Sequence, residues 1–400
     1  MRIVHVITRL IVGGAQENTI ATVLGLQNRS GWDVRLAAGP TSGPEGSLES
    51  RLAGRPELLT LIPDLVRPVH PWRDVRAWAA LVRLFRRLRP DIVHTHSGKA
   101  GVLGRLAARR AGAPIIAHTI HGPSFGPFQG FLPNLLFKTA ERIAGRATDC
   151  FVAVADAMKQ QYLAAGIGRP EQYVRIFSGF PVEPYLRARN DPALRRRLGL
   201  GPEDFVVGKI ARLFRLKGHE DLLAIAPRLA REIPNIRFLL VGDGILRDRF
   251  EAMAREAGVA ERFRFVGLVP PEQVPAYIGV MDALVHLSYR EGLPRALPQA
   301  LCAGKPVAAW DCDGAGEVCL DGRTGFLLRP GDRDGLAERL ILLARDKTLR
   351  RRLGETGRRF AAEQFDERRM IEQIAELYER LAVKTGRKAS ERTTEGSRLP

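Results

Sequence analysis

The chain has 400 residues, of which 45% are hydrophobic and 26% are charged, and its formal net charge is +18. This composition predicts a globular protein of two domains and excludes a membrane-spanning one, because no stretch approaches the roughly 18 unbroken apolar residues that a spanning helix needs. The excess of positive charge is spread along an arginine-rich chain, and its candidate partners are nucleic acid, anionic lipid and phosphorylated small molecules.

Short apolar strands alternate with amphipathic helices, which is typical of α/β proteins with parallel sheets. The first half contains six predicted strands: Arg2–Ile7, Asp33–Ala38, Asp91–His96, Pro114–Ile120, Cys150–Ala155 and Tyr173–Phe177. The pattern then pauses at SGFPVEPYLRARNDP, a polar and proline-bearing stretch. We interpret this stretch as the linker between the domains.

A second series of strands follows the linker: Phe205–Ala211, Arg237–Gly242, Arg262–Gly267, Ala283–Leu287, Pro306–Trp310 and Gly325–Leu328. We therefore predict an N-terminal domain over 1–182 and a C-terminal domain over 190–362, each a Rossmann-like, doubly wound parallel sheet. The two domains are expected to face each other across a cleft. A helix over 363–383 is expected to pack back toward the first domain, and the polar segment 384–400 is expected to be disordered.

The four cysteines, Cys150, Cys302, Cys312 and Cys319, form no CxxC pair. We interpret them as reduced residues of a cytoplasmic protein, not as disulfides or zinc ligands. The opening MRIVHVITRL resembles a first core strand and has no features of a secretory signal.

Two loops that follow predicted strands have the residues of an anion site. In RLIVGGAQENTI, Gly13 and Gly14 stand between a strand and a helix, where the backbone can approach a ligand, although the sequence is not GxGxxG. In GKIARLFRLKGHEDLL, Arg212 and Lys217 flank the entry to a helix, as a diphosphate requires. The alternative readings are a tight turn and two solvated surface cations.

Four histidines cluster near predicted strand ends. His94 and His96 share one face of a strand, and His118 and His121 flank the pair Thr-Ile. A metal site is one reading, but no HxxEH motif or carboxylate cluster accompanies them, which favours packing and hydrogen bonding instead. His121, followed by Gly122, is the best candidate to face the cleft.

The stretch SYREGLPRALPQALCAGKP places an acid, Glu291, after a buried strand. Pro294 is predicted to lie in the first turn of the next helix, where its missing N–H costs nothing. Gln299 lies eight positions after Glu291, about two turns on if the helix is continuous. Polar groups at these positions indicate contact with the hydroxyls of a sugar or ribose.

Taken together, these motifs resemble those of the retaining glycosyltransferases of family 4, which have the GT-B fold. The resemblance covers residues 2 to about 382 and is strongest in GGAQE, HTHSGKAGVLGRLAARRAGAPIIAHTIHG, ARLFRLKG, VGDG and EGLPRALPQALCAGKP. The HTHSGKAG…HTIHG region is most similar to bacterial enzymes that extend lipid-linked sugars in the synthesis of surface polysaccharides.

The resemblance implies a role for each motif residue. Gly14 corresponds to a glycine near the donor phosphates and the acceptor, and His121 to a histidine near the donor sugar. Arg212 and Lys217 correspond to the pair that holds the diphosphate. Glu291 corresponds to the first acid of an E-x7-E motif, and Gly292 and Leu293 offer backbone N–H groups. Gln299 departs from the pattern, because the family has there a second acid that binds the donor ribose. The family uses no catalytic metal, so two cations would take its place.

The resemblance also predicts the reaction. A hexose or N-acetylhexosamine would pass, with retention of configuration, from a nucleoside diphosphate sugar such as a UDP-sugar to a carbohydrate acceptor that is lipid-linked. The nucleotide sugar is a substrate, so no cofactor is expected. The alternatives are a UDP-sugar epimerase or a sugar-phosphate synthase of the same fold and, from another class, a basic nucleic-acid-binding protein, although no helix-turn-helix or aromatic-interleaved basic strand appears.

A helix over Arg73–Arg89 carries the basic charge that would suit a lipid-linked acceptor. Val75, Trp78, Val82 and Phe85 have helical spacing and are expected to pack on the first sheet. The arginines around them, Arg76, Arg83, Arg86 and Arg87, are expected to attract anionic lipid. The sequence therefore predicts peripheral association with the inner face of the cytoplasmic membrane.

Overall fold

The computed structural model describes residues 1–41, 46–126 and 128–386. The chain divides into two compact units. The first unit comprises Met1–Val154, Met158–Ser178 and the described part of Arg368–Pro400, and the second comprises Ala155–Ala157 and Gly179–Glu367. Most of the segment predicted to be disordered, 387–400, lies outside the described residues.

The first unit has a seven-stranded parallel sheet with the strand order β3-β2-β1-β4-β5-β6-β7. Its elements in chain order are β1 (Arg2–Ile7), α1 (Gly14–Gln27), β2 (Asp33–Ala38), β3 (Leu59–Leu61), α2 (Pro71–Leu88), β4 (Ile92–His96), α3 (Gly98–Ala111), β5 (Ile115–Ile120), α4 (Phe131–Gly145), β6 (Cys150–Ala153), α5 (Asp156–Ala164) and β7 (Tyr173–Arg175).

The second unit has a six-stranded parallel sheet with the strand order β10-β9-β8-β11-β12-β13. Its elements are α6 (Glu183–Leu186), α7 (Pro192–Arg197), β8 (Phe205–Ile210), α8 (His219–Glu232), β9 (Ile236–Val241), α9 (Arg247–Glu256), β10 (Phe263–Gly267), α10 (Val274–Gly279), β11 (Ala283–His286), α11 (Ala296–Cys302), β12 (Val307–Trp310), β13 (Gly325–Leu328), α12 (Arg333–Arg345) and α13 (Lys347–Gln364), and the last helix of the chain is α14 (Glu367–Lys384).

The predicted fold class, two doubly wound parallel sheets, is confirmed. All twelve predicted strands form, and the largest difference at an end is two residues, as where β6 ends at Ala153 instead of Ala155. Strand β3 was not predicted from the sequence. The described helices include none that is long and apolar enough to cross a membrane.

Apolar side chains cover both faces of the first sheet. One face packs against α1 and α14, whose Met370, Ile374 and Tyr378 are buried in this core. The other face packs against α2 and α3 through residues such as Leu81 and Phe85. In α2 the predicted stripe is confirmed at Val82 and Phe85, which are buried, and is wrong at Val75, which is 60% exposed. Ala77, Leu81, Leu84 and Leu88 are buried as well.

Candidate functional site

The strand order of the second sheet reverses between β8 and β11, which makes the carboxyl ends of these two strands the switch point of the sheet. Doubly wound sheets bind their ligands at such a switch point. Arg212 and Lys217 follow β8, and Glu291 follows β11. These three of the predicted site residues therefore belong to the two loops that border the switch point.

A glycine holds the loop after β8 against the end of β11. Gly218 has a φ of +64°, and a Cβ atom there would lie 2.0 Å from the carbonyl oxygen of Leu287. The N–H of Tyr289 donates to the carbonyl oxygen of Leu216 at 2.9 Å, which ties the two loops together. Only glycine accommodates both the close approach and the left-handed conformation.

This contact brings Lys217 to Glu291. Lys217 Nζ donates a hydrogen bond to Glu291 Oε1, and His286 Nε2 lies 3.5 Å from the same oxygen. The backbone N–H of Glu291 donates to Asp313 Oδ2 at 2.7 Å. Burial raises the pKa of Glu291, but the charge of Lys217 and the neighbouring His286 outweigh it and hold the pKa well below its usual range. Glu291 is therefore a carboxylate at neutral pH.

Arg212 is exposed at the start of the same loop, with its guanidinium carbon 5.1 Å from the ring centroid of Phe214. Lys217, whose side chain is 18% exposed, is more deeply buried than Arg212. An exposed guanidinium suits the recognition of an incoming anion through two parallel hydrogen bonds.

Two buried polar residues below this loop were missed by the sequence analysis. Lys209 of β8 is 1% exposed, and its Nζ has no hydrogen-bond partner among the described residues. Burial, followed by the charge of Lys217, lowers the pKa of Lys209 to about 7. Asp221 of α8 accepts hydrogen bonds from Tyr289, Trp310 and Arg333. A lysine inside the apolar strand FVVGKI was the available signal.

The helix after Glu291 starts later than predicted. It begins at Ala296, so Pro294 precedes the helix and does not lie in its first turn. Gln299 is therefore the fourth residue of α11, one turn into the helix, and it is half-buried. Gly292 and Leu293 are buried in the loop, and the carbonyl oxygen of Gly292 accepts a hydrogen bond from the N–H of Gly314. The predicted roles of Gly292, Leu293 and Gln299 toward a donor stay predictions.

In the first unit, Gly14 and His121 lie at the carboxyl edge of the sheet. Gly14 is the first residue of α1 and follows β1, which borders the switch point between β1 and β4. His121 comes directly after β5. Both residues thus occupy positions from which doubly wound sheets contact ligands, and their roles toward a sugar donor stay predictions.

His121 is the end of a chain of buried, hydrogen-bonded side chains. His121 Nε2 lies 3.0 Å from His96 Nδ1, and His96 Nε2 lies 2.9 Å from His5 Nδ1. The chain continues from His5 Nε2 to the hydroxyl of Tyr378 at 3.3 Å, and from this hydroxyl to His94 Nδ1. His94 Nε2 then bonds to Thr119 Oγ1 at 2.7 Å. We call this set the histidine chain.

The histidine chain couples the tautomers of its members. Burial lowers the pKa of His5 and of His121 to about 3 and those of His94 and His96 well below the usual value, so each ring is neutral and has one N–H. If the Tyr378 hydroxyl donates to His94, its oxygen must accept from His5, His5 must accept from His96, and His96 must accept from Nε2 of His121. Nδ1 of His121 is then an acceptor. If Tyr378 donates to His5, Nδ1 of His121 is a donor instead.

The same histidines have the spacing of a metal site, since ligand atoms of His5, His94 and His96 lie within 4.8 Å of one another. All six of their ring nitrogens are already used in the hydrogen bonds of the histidine chain. A metal ion would have to replace several of these bonds. His118 lies apart from this set and bonds to Thr95 Oγ1 at 2.9 Å.

Both domains of the chain match families of known proteins. Residues 13–179 match the glycosyl transferase 4-like domain, and residues 190–360 match the glycosyl transferases group 1. The solved structure of Anabaena Alr3699/HepE in complex with UDP-glucose has a TM-score of 0.80 at 24% identity and covers 94% of this chain and 99% of that chain. This likeness shows the GT-B fold.

Two curated relatives are similar over most of the chain. The UDP-Gal:alpha-D-GlcNAc-diphosphoundecaprenol alpha-1,3-galactosyltransferase of Escherichia coli is 28% identical over 292 residues, which are 72% of this chain and 75% of the relative. The GDP-mannose-dependent alpha-(1-6)-phosphatidylinositol monomannoside mannosyltransferase of Mycolicibacterium smegmatis is 30% identical over 301 residues, 72% of this chain and 76% of the relative. With both of its domains matched, the chain belongs to the glycosyl transferases of group 1.

Proposed function

We propose that this glycosyltransferase moves a hexose or N-acetylhexosamine from a nucleoside diphosphate sugar, a UDP-sugar in particular, to a lipid-linked carbohydrate, with retention of the anomeric configuration. The reaction would belong to the synthesis of bacterial surface polysaccharides at the inner face of the cytoplasmic membrane. The observation that carries the proposal is the pair of Lys217 and Glu291 at the switch point of the second sheet, with Arg212 in the same loop.

The two cations match the charge that develops in such a reaction. When the bond between the anomeric carbon and the diphosphate breaks, negative charge builds up on the leaving nucleotide, and Lys217 and Arg212 would stabilise it without a metal ion. Glu291 would accept hydrogen bonds from hydroxyls of the donor sugar, with the N–H groups of Gly292 and Leu293 beside it. Gln299 would accept a hydrogen bond from the ribose.

In the first unit, Gly14 would approach the donor phosphates and His121 would contact the donor sugar. The histidine chain supports the second role, because its hydrogen bond orients His121, while burial keeps the ring neutral by lowering its pKa. The relatives support the substrate classes, since one is named for a UDP-sugar donor and both are named for acceptors that carry a lipid.

The test combines a panel of nucleotide sugars with an undecaprenyl-diphosphate-linked sugar acceptor, and identifies products by mass spectrometry and the new anomeric centre by NMR. A product of inverted configuration, or consumption of UDP-sugar without any acceptor, would contradict the proposal, and the second outcome is the one expected of an epimerase. Loss of activity on addition of EDTA would contradict its metal independence.

Single substitutions test the residue roles. Arg212→Ala and Lys217→Ala should each lower the rate of transfer by about 10²–10³, the usual cost of removing one group that stabilises developing charge. The matched control is Arg228→Ala, which removes a surface cation of α8 that pairs with Asp334 and should leave the rate unchanged. Rates like that of the parent in both Arg212 and Lys217 variants would exclude the diphosphate role.

A further inference from the structure

Helix α4 of the first unit exposes apolar side chains and buries a charged one, the reverse of the usual arrangement of an amphipathic helix. Apolar side chains in its first two turns are exposed to solvent: Phe131 is 79% exposed and Leu132 is 73% exposed, and Leu135 and Leu136 are also exposed. The largest side chain that α4 buries is instead an acid, Glu141, which pairs with the buried Arg105 of α3. A helix of a soluble surface normally has the opposite arrangement, so this face calls for an apolar partner.

Neighbouring elements extend this surface. Helix α2 packs on α3, and α3 packs on α4, so that the three helices form one layer on the first sheet. At the start of α2, Trp72 is 77% exposed and Val75 is exposed beside it. Since α2 follows β3 and α4 follows β5, both helices begin at the carboxyl edge of the parallel sheet, and their apolar ends lie at the same edge.

The charge of this layer is entirely positive at its surface. The three helices contain only two acids, Asp74 and Glu141, and each is paired with a cation, Lys99 and Arg105 respectively. The exposed charged residues of the layer are all arginines: Arg73, Arg76, Arg83, Arg86, Arg87, Arg109, Arg110 and Arg142.

These two properties together select one partner. Exposed Phe, Leu and Trp beside Arg, with no free acid, are the composition of helices that lie in the interface of an anionic bilayer. A nucleic acid would account for the arginines but not for the four apolar residues of α4. A second protein chain would account for the apolar residues but not for a layer with cations alone.

We propose that the layer of α2, α3 and α4 docks the protein on an anionic lipid bilayer, with Phe131, Leu132, Leu135 and Leu136 inserted at the headgroup boundary. From the sequence, the arginines of α2 were expected to make this contact, and the structure adds an apolar anchor on α4. His121 and Gly14 lie at the same edge of the sheet as the starts of α2 and α4. Docking would therefore bring that edge to the height where the headgroup sugar of a lipid-linked acceptor lies, a consequence that rests on the proposed function.

The experiment measures cosedimentation of the full chain with phosphatidylglycerol-containing vesicles that hold no acceptor. The wild-type protein should bind these vesicles and not pure phosphatidylcholine, and binding should weaken as salt rises. The triple variant Leu132→Ser, Leu135→Ser, Leu136→Ser should bind at least about tenfold more weakly, because its apolar anchor is removed. The matched control, Ile245→Ser with Leu268→Ser, replaces exposed apolar residues of the second unit and should bind as the wild type does.

A second measurement reports insertion directly. An environment-sensitive dye on Leu132→Cys should shift its emission to the blue on addition of anionic vesicles, and the same dye on Ile245→Cys should not. Absence of wild-type binding, equal binding of the triple variant, or an unshifted dye at position 132 would each overturn the proposal. RNA is also added as a competitor. If RNA displaces the wild-type protein from the vesicles, and displaces the triple and control variants to the same extent, the surface binds nucleic acid and the proposal is overturned.

The result does not depend on catalysis. If the wild type docks as expected but transfers no sugar, the proposed function fails and the docking surface stands. Titration with UDP should give the same affinity for the triple variant as for the wild type, which shows that the substitutions leave the fold intact. Transfer to a short acceptor without a lipid should likewise be unchanged, whereas transfer to a vesicle-bound acceptor should fall.

Discussion

Replacing Glu291 with glutamine is expected to change two measurable quantities in opposite directions. The substitution keeps the shape of the side chain and removes its charge. Lys217 donates a hydrogen bond to the carboxylate of Glu291. A nucleoside diphosphate that binds Lys217 must therefore share this ammonium with a second anion, and the repulsion between the two anions weakens binding of the nucleotide.

The size of the effect follows from the geometry. Two anions on opposite sides of one ammonium lie about 6 Å apart, since each N···O contact is about 3 Å. Because the side chain of Glu291 is 21% exposed, an effective dielectric constant of about 20–40 applies, and the repulsion is about 1–3 kcal/mol. We expect Glu291→Gln to bind UDP about tenfold more tightly, which corresponds to about 1.4 kcal/mol.

Transfer by the same variant should be slower, because a neutral amide replaces the charged acceptor of hydrogen bonds from the donor sugar. The expected loss in rate is about 10²–10³. Isothermal titration with UDP measures the first quantity, and initial rates with the complete donor measure the second. Glu232→Gln is the matched control, because Glu232 pairs with Arg345 at the far end of α8, and it should change neither. An unchanged or weaker affinity of Glu291→Gln for UDP would refute the reasoning.

The stability of the variant gives an independent check. The pKa of Glu291 in the folded protein lies below its unfolded value of about 4.3, so the carboxylate stabilises the fold above that pH. This contribution is lost as the pH falls through the folded pKa. Below about pH 4.3, the unfolding free energy of Glu291→Gln should therefore decrease less steeply with falling pH than that of the wild type. An equally steep decrease would contradict the pairing of Glu291 with Lys217.

Three further outcomes are expected. Because the pKa of Lys209 is lowered to about 7, the unfolded chain binds more protons than the folded one between about pH 7 and 10, and the unfolding free energy should rise with pH in this range. Lys209→Met should abolish this rise when denaturation curves are measured at several pH values. An unaltered slope would show that the amine of Lys209 is solvated in the folded protein. Tyr378→Phe leaves one nitrogen of His5 and one of His94 without a partner, so it should lower the unfolding free energy by about 1–3 kcal/mol and shift the ¹⁵N signals of these rings. An unchanged unfolding free energy would contradict the hydrogen bonds between Tyr378 and the two histidines. Gln299→Glu should tighten UDP binding by about 1 kcal/mol, and identical affinities of the Glu and Ala variants would exclude contact with the ribose.

Local features determined the fold class and the positions of the donor-site residues. The alternation of apolar strands with amphipathic helices is visible within windows of a few residues, and it predicted all strands but β3. Arg212, Lys217 and Glu291 stand out because each follows an apolar run, and ligands of parallel sheets bind at strand ends. The exact start of α11 could not be predicted in this way, because the bend around Gly292 depends on its hydrogen bond to Gly314.

Contacts between distant residues were decided by the tertiary structure alone. Lys217 and Glu291 are 74 positions apart, and they meet because Gly218 lets one loop approach the end of β11. The histidine chain joins β1, β4 and β5 to Tyr378 of the last helix, and no periodicity relates such positions.

The orientation of a helix about its axis is likewise a tertiary property. The sequence of α2 indicates an apolar stripe, but the neighbours of the helix decide that Leu81 and Leu84 are buried and Val75 is not. In α4, the buried pairing of Glu141 with Arg105 turns the acid inward and Leu132 outward. A buried charge is tolerated only where a partner neutralises it, and that partner came from another helix, 36 residues away in the chain.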